Sequence, residues 1–131
     1  MVGIISYGAY IPKYRIKVEE IAKIYGEDPD FIKKNLLIEE KSVPGIDEDS
    51  LTLGVESSLN ALRKVDIDKK KVGAVYSGSE SPVYAVKPNA SIVGEVLDIG
   101  NEYTSADIEF ACKAGTAAMQ MTFGLVKSNF I

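Results

Sequence analysis

The chain contains no histidine, no tryptophan and a single cysteine. Without imidazole it has no histidine base and no histidine-containing metal site. One cysteine cannot close an internal disulfide, which fits a reducing compartment and a cytoplasmic setting. Any chemistry must use carboxylates, lysines, tyrosines, hydroxyls and one thiol, or groups supplied from elsewhere. Long apolar runs are missing too. None approaches the roughly 20 residues that span a bilayer, so no membrane partner is expected. The opening, MVGIISYGAYIPKYR, has no basic stretch before its apolar run, so a secretory leader is not expected. The formal net charge is −4, and no Lys/Arg cluster is dense enough to track a phosphate backbone, which argues against nucleic acid.

What is present is ordinary for a folded protein. Hydrophobic residues make up 46% of the chain and charged residues 26%, a balance that excludes disordered and collagen-like classes. The 131 residues amount to about one domain.

The run from Gly3 to Ile11 is rich in β-branched and aromatic residues and predicts a strand ended by Pro12. Gly3 and Gly8 within it suggest a bulge or a close backbone approach. Val18, Ile21, Ala22 and Tyr25 recur at helical spacing, so a short helix should end near Gly26. Asp28-Pro29 has the form of an N-cap followed by proline at the first helical position, predicting a helix over Pro29 to Leu36. Residues 37–49 read as a loop around Pro44-Gly45. Leu51, Val55, Leu59 and Leu62 form the apolar face of a further helix running to about Lys64.

The polar DIDKKK run reads as a solvated loop. The short apolar run Val72 to Tyr76 fits a strand covered on both faces. A loop from Ser77 to Lys87 leads into a helix after Pro88, with Ile92, Val93, Val96 and Leu97 on its apolar side and Gly100 closing it. Ser105 to Phe110 is the next strand, and the last helix spans about Cys112 to Lys127. Its first half is small on every side and is expected to be buried. The alternation of strands and helices indicates an α/β fold with a mostly parallel sheet flanked by helices. No repeat or linker divides residues 1–131, so they are expected to form one domain.

Cys112 lies between a strand and a helix. The first N–H groups of a helix lack partners and carry partial positive charge, so a thiol there is stabilised as thiolate. Lys113 adds positive charge if it points toward the sulfur. The same N–H groups can hold a developing oxyanion. A small buried thiol filling core space fits that position as well. Glu80 lies just beyond the C-terminal end of the strand at Val72–Tyr76, where open α/β sheets bind ligands. Set among Ser and Gly, its carboxylate can exchange protons with a ligand; a solvated loop acid is the plainer alternative. If the two strands are parallel neighbours, Cys112 and Glu80 reach the same sheet edge. Asn89-Ala-Ser91 matches a glycosylation acceptor by chance. The tyrosines read as core or interface residues, and the Gly3/Gly8 spacing is not a dinucleotide fingerprint.

Two of these segments resemble a known family. ADIEFACKAGTAAMQ is similar to the nucleophilic-cysteine segment of archaeal-type 3-hydroxy-3-methylglutaryl-CoA synthases. GSESPVYAVKPNASIVGEVL is similar to their acid/base glutamate segment. The opening GIISYGAYIPKYRIKVEEIAKIYG resembles thiolase-like condensing enzymes generally and by itself fits 3-ketoacyl-carrier-protein synthase III equally well. The resemblance covers essentially the whole chain. It implies a thiolase-like fold, with Cys112 as the acyl-thioester nucleophile and Glu80 as the proton donor and acceptor. It further implies acetyl-CoA and acetoacetyl-CoA as substrates, no permanently bound cofactor or metal, and a place in isoprenoid synthesis through mevalonate.

The family forms dimers, and archaeal members resemble a channelling system with acetoacetyl-CoA thiolase and a small zinc-containing partner. It also uses a downstream histidine to position acetoacetyl-CoA, which this chain lacks. The family subunit has two thiolase-like halves, and 131 residues do not complete the first. The chain is therefore expected to be an incomplete N-terminal portion, without full synthase activity alone and with apolar surface left uncovered. Two other readings stay open: a ketoacyl synthase III-like condensing enzyme, and a non-catalytic half-fold that serves as an interaction module.

Overall fold

A computed structural model describes residues 1–131. It divides into two compact units, Ile11–Glu48 and a larger one formed by Met1–Tyr10 with Asp49–Ile131.

The smaller unit contains β1 (Tyr14–Lys17), α1 (Val18–Tyr25), α2 (Pro29–Leu36) and β2 (Glu40–Val43). Helix α1 starts with Glu19 and Glu20 in its first turn, where acids favour the helix dipole. It stops at Gly26, which takes a left-handed φ of 69° and donates its N–H to Ala22 O. In α2 the Asp28 side chain accepts from Asp30 N–H at 3.0 Å, with Pro29 in the first turn. That is the N-terminus expected from Asp28-Pro29. Lys33 on α2 reaches Glu19 at 2.6 Å and Glu39 at 3.2 Å. Its hydrogen bond to Glu19 raises the lysine's pKa and lowers that of the carboxylate. Both carboxylates are exposed and Lys33 is a quarter exposed, so the cluster contributes little to stability.

Strands β1 and β2 pair antiparallel, with Tyr14 opposite Val43 and Lys17 opposite Glu40. This corrects the expected loop at residues 37–49. The side chains of β2 lie at or near the surface, so the pairing rests on backbone groups and leaves no alternating apolar signal.

The expected strand at Gly3–Ile11 is also corrected, because residues 1–12 join no ladder. A strand needs a partner edge, and here two of the segment's carbonyls and one of its hydroxyls bond elsewhere. Asn60 Nδ2 donates to Ala9 O at 3.1 Å and Lys64 Nζ to Tyr7 O at 3.0 Å, while Ser6 Oγ donates to Ala61 O at 2.7 Å. The partner residues belong to α3 (Ser50–Leu62) and the turn that follows it. The close approach expected at a glycine does occur at Gly8, where a Cβ would fall 2.0 Å from Ser57 O.

In the larger unit, α3 opens on a reciprocal cap. Asp49 accepts from Thr52 N–H at 2.8 Å, and Thr52 Oγ1 accepts from Asp49 N–H at 2.7 Å. That first bond, helped by the Thr52 hydroxyl, holds Asp49 below its ordinary pKa. β3 (Ala74–Gly78), α4 (Asn89–Leu97), β4 (Thr104–Ile108) and α5 (Ala114–Lys127) follow. β3 and β4 pair parallel, with Val75 opposite Ser105 and Gly78 opposite Ile108. The strand therefore lies two residues later than Val72–Tyr76.

Strand alternation sends Val75 to the side of α3 and α4, and Tyr76 and Gly78 to the side of α5. On the first side Val93, Leu97 and Ile99 form a buried cluster packed against Leu51, Val55, Leu59, Leu62, Val72, Val75 and Tyr103. Helix α4 ends at Asp98, which takes the left-handed conformation with φ 55°, two residues before the expected Gly100. Helix α5 is covered less than its small residues suggested. Only Ala114 and Ala118 of the helix are buried.

Candidate active site

Cys112 does not begin α5. It sits in a separate 3-10 turn, Ala111–Lys113, between β4 and the helix. The turn closes through Lys113 N–H to Phe110 O at 2.9 Å and Ala114 N–H to Ala111 O. Ala111 takes φ 41°, a left-handed conformation that costs a residue with a Cβ about 1–3 kcal/mol. Strained strand-to-helix turns of this kind hold a nucleophile out from the sheet. The thiol is exposed, which overturns the reading of Cys112 as a buried core group. Lys113 is committed elsewhere: its ammonium lies 4.7 Å from the centroid of the Phe110 ring.

Glu80 is exposed on the loop that leaves β3. The loop starts as a continuation of the ladder, with Ser79 N–H donating to Ile108 O at 3.1 Å. Ser81 N–H then bonds Ser79 Oγ at 3.1 Å, and Ser81 O accepts from the Ser50 hydroxyl at the start of α3. Glu80 is thus bracketed by two tethered serines.

Gly78 brings the two segments together. A Cβ there would meet the Ala114 carbonyl carbon and Gly115 N at 2.7 Å. The first turn of α5 therefore rests directly on the end of β3. Glu80 is two residues beyond Gly78, and Cys112 is two residues before Ala114. Both sequence-predicted residues end at the C-terminal edge of a parallel strand pair, the edge where open α/β sheets place ligands. A groove of about 570 Å³ lies along α5, lined by Ile4, Ile5, Tyr76, Met119 and Phe123 among others. Neither Cys112 nor Glu80 lines it. Nor does any helix reach the length and apolarity needed to cross a membrane.

Sequence reasoning passed over one residue at this edge. Asp107 lies on β4, and its Oδ2 and Oδ1 accept from Asn89 N–H at 2.7 Å and Ala90 N–H at 2.9 Å. It thereby caps α4, whose own N-cap, Pro88, offers no side-chain acceptor. The available signal was an aspartate inside a strand, where that residue is depleted unless something there needs it.

Among solved structures, an HMG-CoA synthase complexed with CoA superposes with a TM-score of 0.85 at 30% identity, over 97% of this chain and 32% of that one. An MvaS protein in complex with 3-hydroxy-3-methylglutaryl coenzyme A gives 0.87 at 26% identity, over 97% of this chain and 30% of that one. The 3-oxoacyl carrier-protein synthase III of Thermus thermophilus gives 0.87 at 20% identity, over 98% of this chain and 40% of that one, a likeness of fold alone. The chain thus has a partial thiolase-like fold, the fold of condensing enzymes.

No family model matches the sequence. Curated relatives do. The hydroxymethylglutaryl-CoA synthase of Methanocaldococcus jannaschii is 60% identical over 131 residues, and that of Archaeoglobus fulgidus 56%, each covering all of this chain. The chain spans 38% of the length of either relative. It is a homologue of the N-terminal portion of archaeal hydroxymethylglutaryl-CoA synthases.

Proposed function

We propose that this chain is the nucleophile-bearing, incomplete N-terminal thiolase-like domain of a hydroxymethylglutaryl-CoA synthase, an acyltransferase. The observation that carries the reading is the contact of Gly78 with Ala114 and Gly115, which brings the Glu80 loop and the Cys112 turn to one edge.

In this reading the Cys112 thiolate attacks the carbonyl carbon of acetyl-CoA. The bond to the CoA sulfur breaks, CoA leaves as its thiolate and takes a proton from water, and an acetyl thioester remains on Cys112. The Glu80 carboxylate removes a proton from the acetyl methyl group. The resulting carbanion attacks the ketone carbon of acetoacetyl-CoA and forms the new C–C bond. Glu80 returns the proton to the alkoxide, giving the tertiary alcohol. Water then hydrolyses the thioester, which frees Cys112 and releases 3-hydroxy-3-methylglutaryl-CoA for mevalonate synthesis. The histidine that orients acetoacetyl-CoA in the resembled family is absent from these residues, so the isolated chain is expected to lack steady-state turnover.

The CoA thioesters are the small-molecule partners of this reading, and it includes no resident cofactor. A homodimer, a complex with acetoacetyl-CoA thiolase and a small zinc-containing protein, and a cytoplasmic setting belong to the same proposal. Replacing Glu80 with Gln tests it. Condensation should collapse while acetylation of Cys112 survives. Condensation retained in E80Q would overturn the assignment and favour a ketoacyl synthase III-like reaction, in which a glutamate at this position has no role.

A further inference from the structure

Two adjacent residues of β4 anchor both ends of the loop that carries Glu80. Ile108 O holds the entry through Ser79 N–H, and the Asp107 carboxylate holds the exit through Asn89 and Ala90. The exit is buried: Asn89 is 2% exposed and Ala90 fully covered. Helix capping alone does not require this arrangement, since a Ser or Asp at position 88 would cap α4 locally. Instead the sequence has Pro88 and assigns the task to a strand that reaches Cys112 four residues after Ile108.

We infer that Asp107 is a positioning residue for proton transfer. It fixes the loop's far end to the nucleophile's strand and so sets the distance from the Glu80 carboxylate to an acyl group on Cys112. A proton passes only at hydrogen-bond reach, whereas acylation of Cys112 makes no use of the loop. The two half-reactions therefore separate in their dependence on Asp107. The inference rests on the assignment of Cys112 and Glu80 proposed above.

The test uses the protein expressed from its native gene, with D107A, D107N and E80Q introduced separately. Each is incubated with acetyl-CoA in D2O. Acetylation of Cys112 and deuterium entering the acetyl methyl group are read from the same peptide by mass spectrometry. Asp107→Ala should acetylate at close to the wild-type rate, while its deuterium exchange falls on the order of a hundredfold, the scale of an ångström-level misplacement. Asp107→Asn keeps the side-chain volume and one acceptor oxygen, and should fall between the two. It decides the matter if the alanine variant does not fold.

Equal losses of acetylation and exchange in both Asp107 variants would mark a purely structural role and overturn the inference. So would exchange unchanged in them while E80Q abolishes it. Wild-type protein that is never acetylated, or E80Q that exchanges normally, would instead overturn the underlying assignment and the inference with it.

Discussion

On one face of the β3–β4 pair, α3 and α4 close over Val93, Leu97 and Ile99. On the other, α5 buries Ala114 and Ala118 and leaves Met119, Phe123 and Val126 two-fifths or more exposed beside an open apolar groove. The same two strands feed both faces. The first face buries Val93, Leu97 and Ile99 and supplies buried apolar area that stabilises the larger unit. The open face carries the Cys112 turn at its upper end, where Gly78 lies directly against the first turn of α5. Within these residues the buried cluster lies on one side of the small sheet, and the Cys112 turn leads into the helix on the other.

Substitutions on the two faces should separate accordingly. Leu97→Ala on the closed face is expected to cost about 2–5 kcal/mol, read as a lower urea midpoint, because the cavity it leaves cannot collapse. Gly78→Ala should cost about 1–3 kcal/mol, since its new Cβ meets main chain rather than a movable side chain. It should also slow alkylation of Cys112. An unchanged alkylation rate would show that the turn does not depend on this contact.

Asp49→Ala removes the α3 cap and should cost about 1 kcal/mol. Its pKa is lowered in the folded state, so the cap's contribution is full above the ordinary value of 3.8 and is lost as pH falls through the lower folded value. A urea midpoint in D49A with the same acid dependence as wild type would contradict that. The smallest effect belongs to the open face. In the isolated 131-residue chain, Phe123→Ser should change stability by no more than about 0.5 kcal/mol while reducing self-association in sedimentation. A loss comparable to that of Leu97→Ala would break the contrast between the faces.

The sequence was most legible where a local signal coincides with tertiary demand. Asp28-Pro29 marked the start of α2, and the spacing of Leu51, Val55, Leu59 and Leu62 marked the face of α3 that meets the core. Position alone left Cys112 and Glu80 open to a core thiol and a solvated loop acid, and their proposed roles come from the two segments that resemble one family. The misses share a different cause. Gly3–Ile11 has strand-forming residues, yet strand formation also requires a free edge, and the carbonyls of Tyr7 and Ala9 are taken instead by Lys64 and Asn60. Glu40–Val43 pairs through main-chain groups that leave no pattern in its side chains. The left-handed Ala111 is invisible to propensity, since alanine seldom adopts that conformation. Asp107 acts across 18 residues of chain, so only the folded structure reveals its partners.

The most direct measurement is the intact mass of the protein purified from its source, before and after incubation with acetyl-CoA, with peptide mapping of any adduct. The account predicts a mass well above that of 131 residues and a single acetyl increment on Cys112. A mass matching this chain, with no adduct at Cys112, would contradict it and make the half-fold an interaction module.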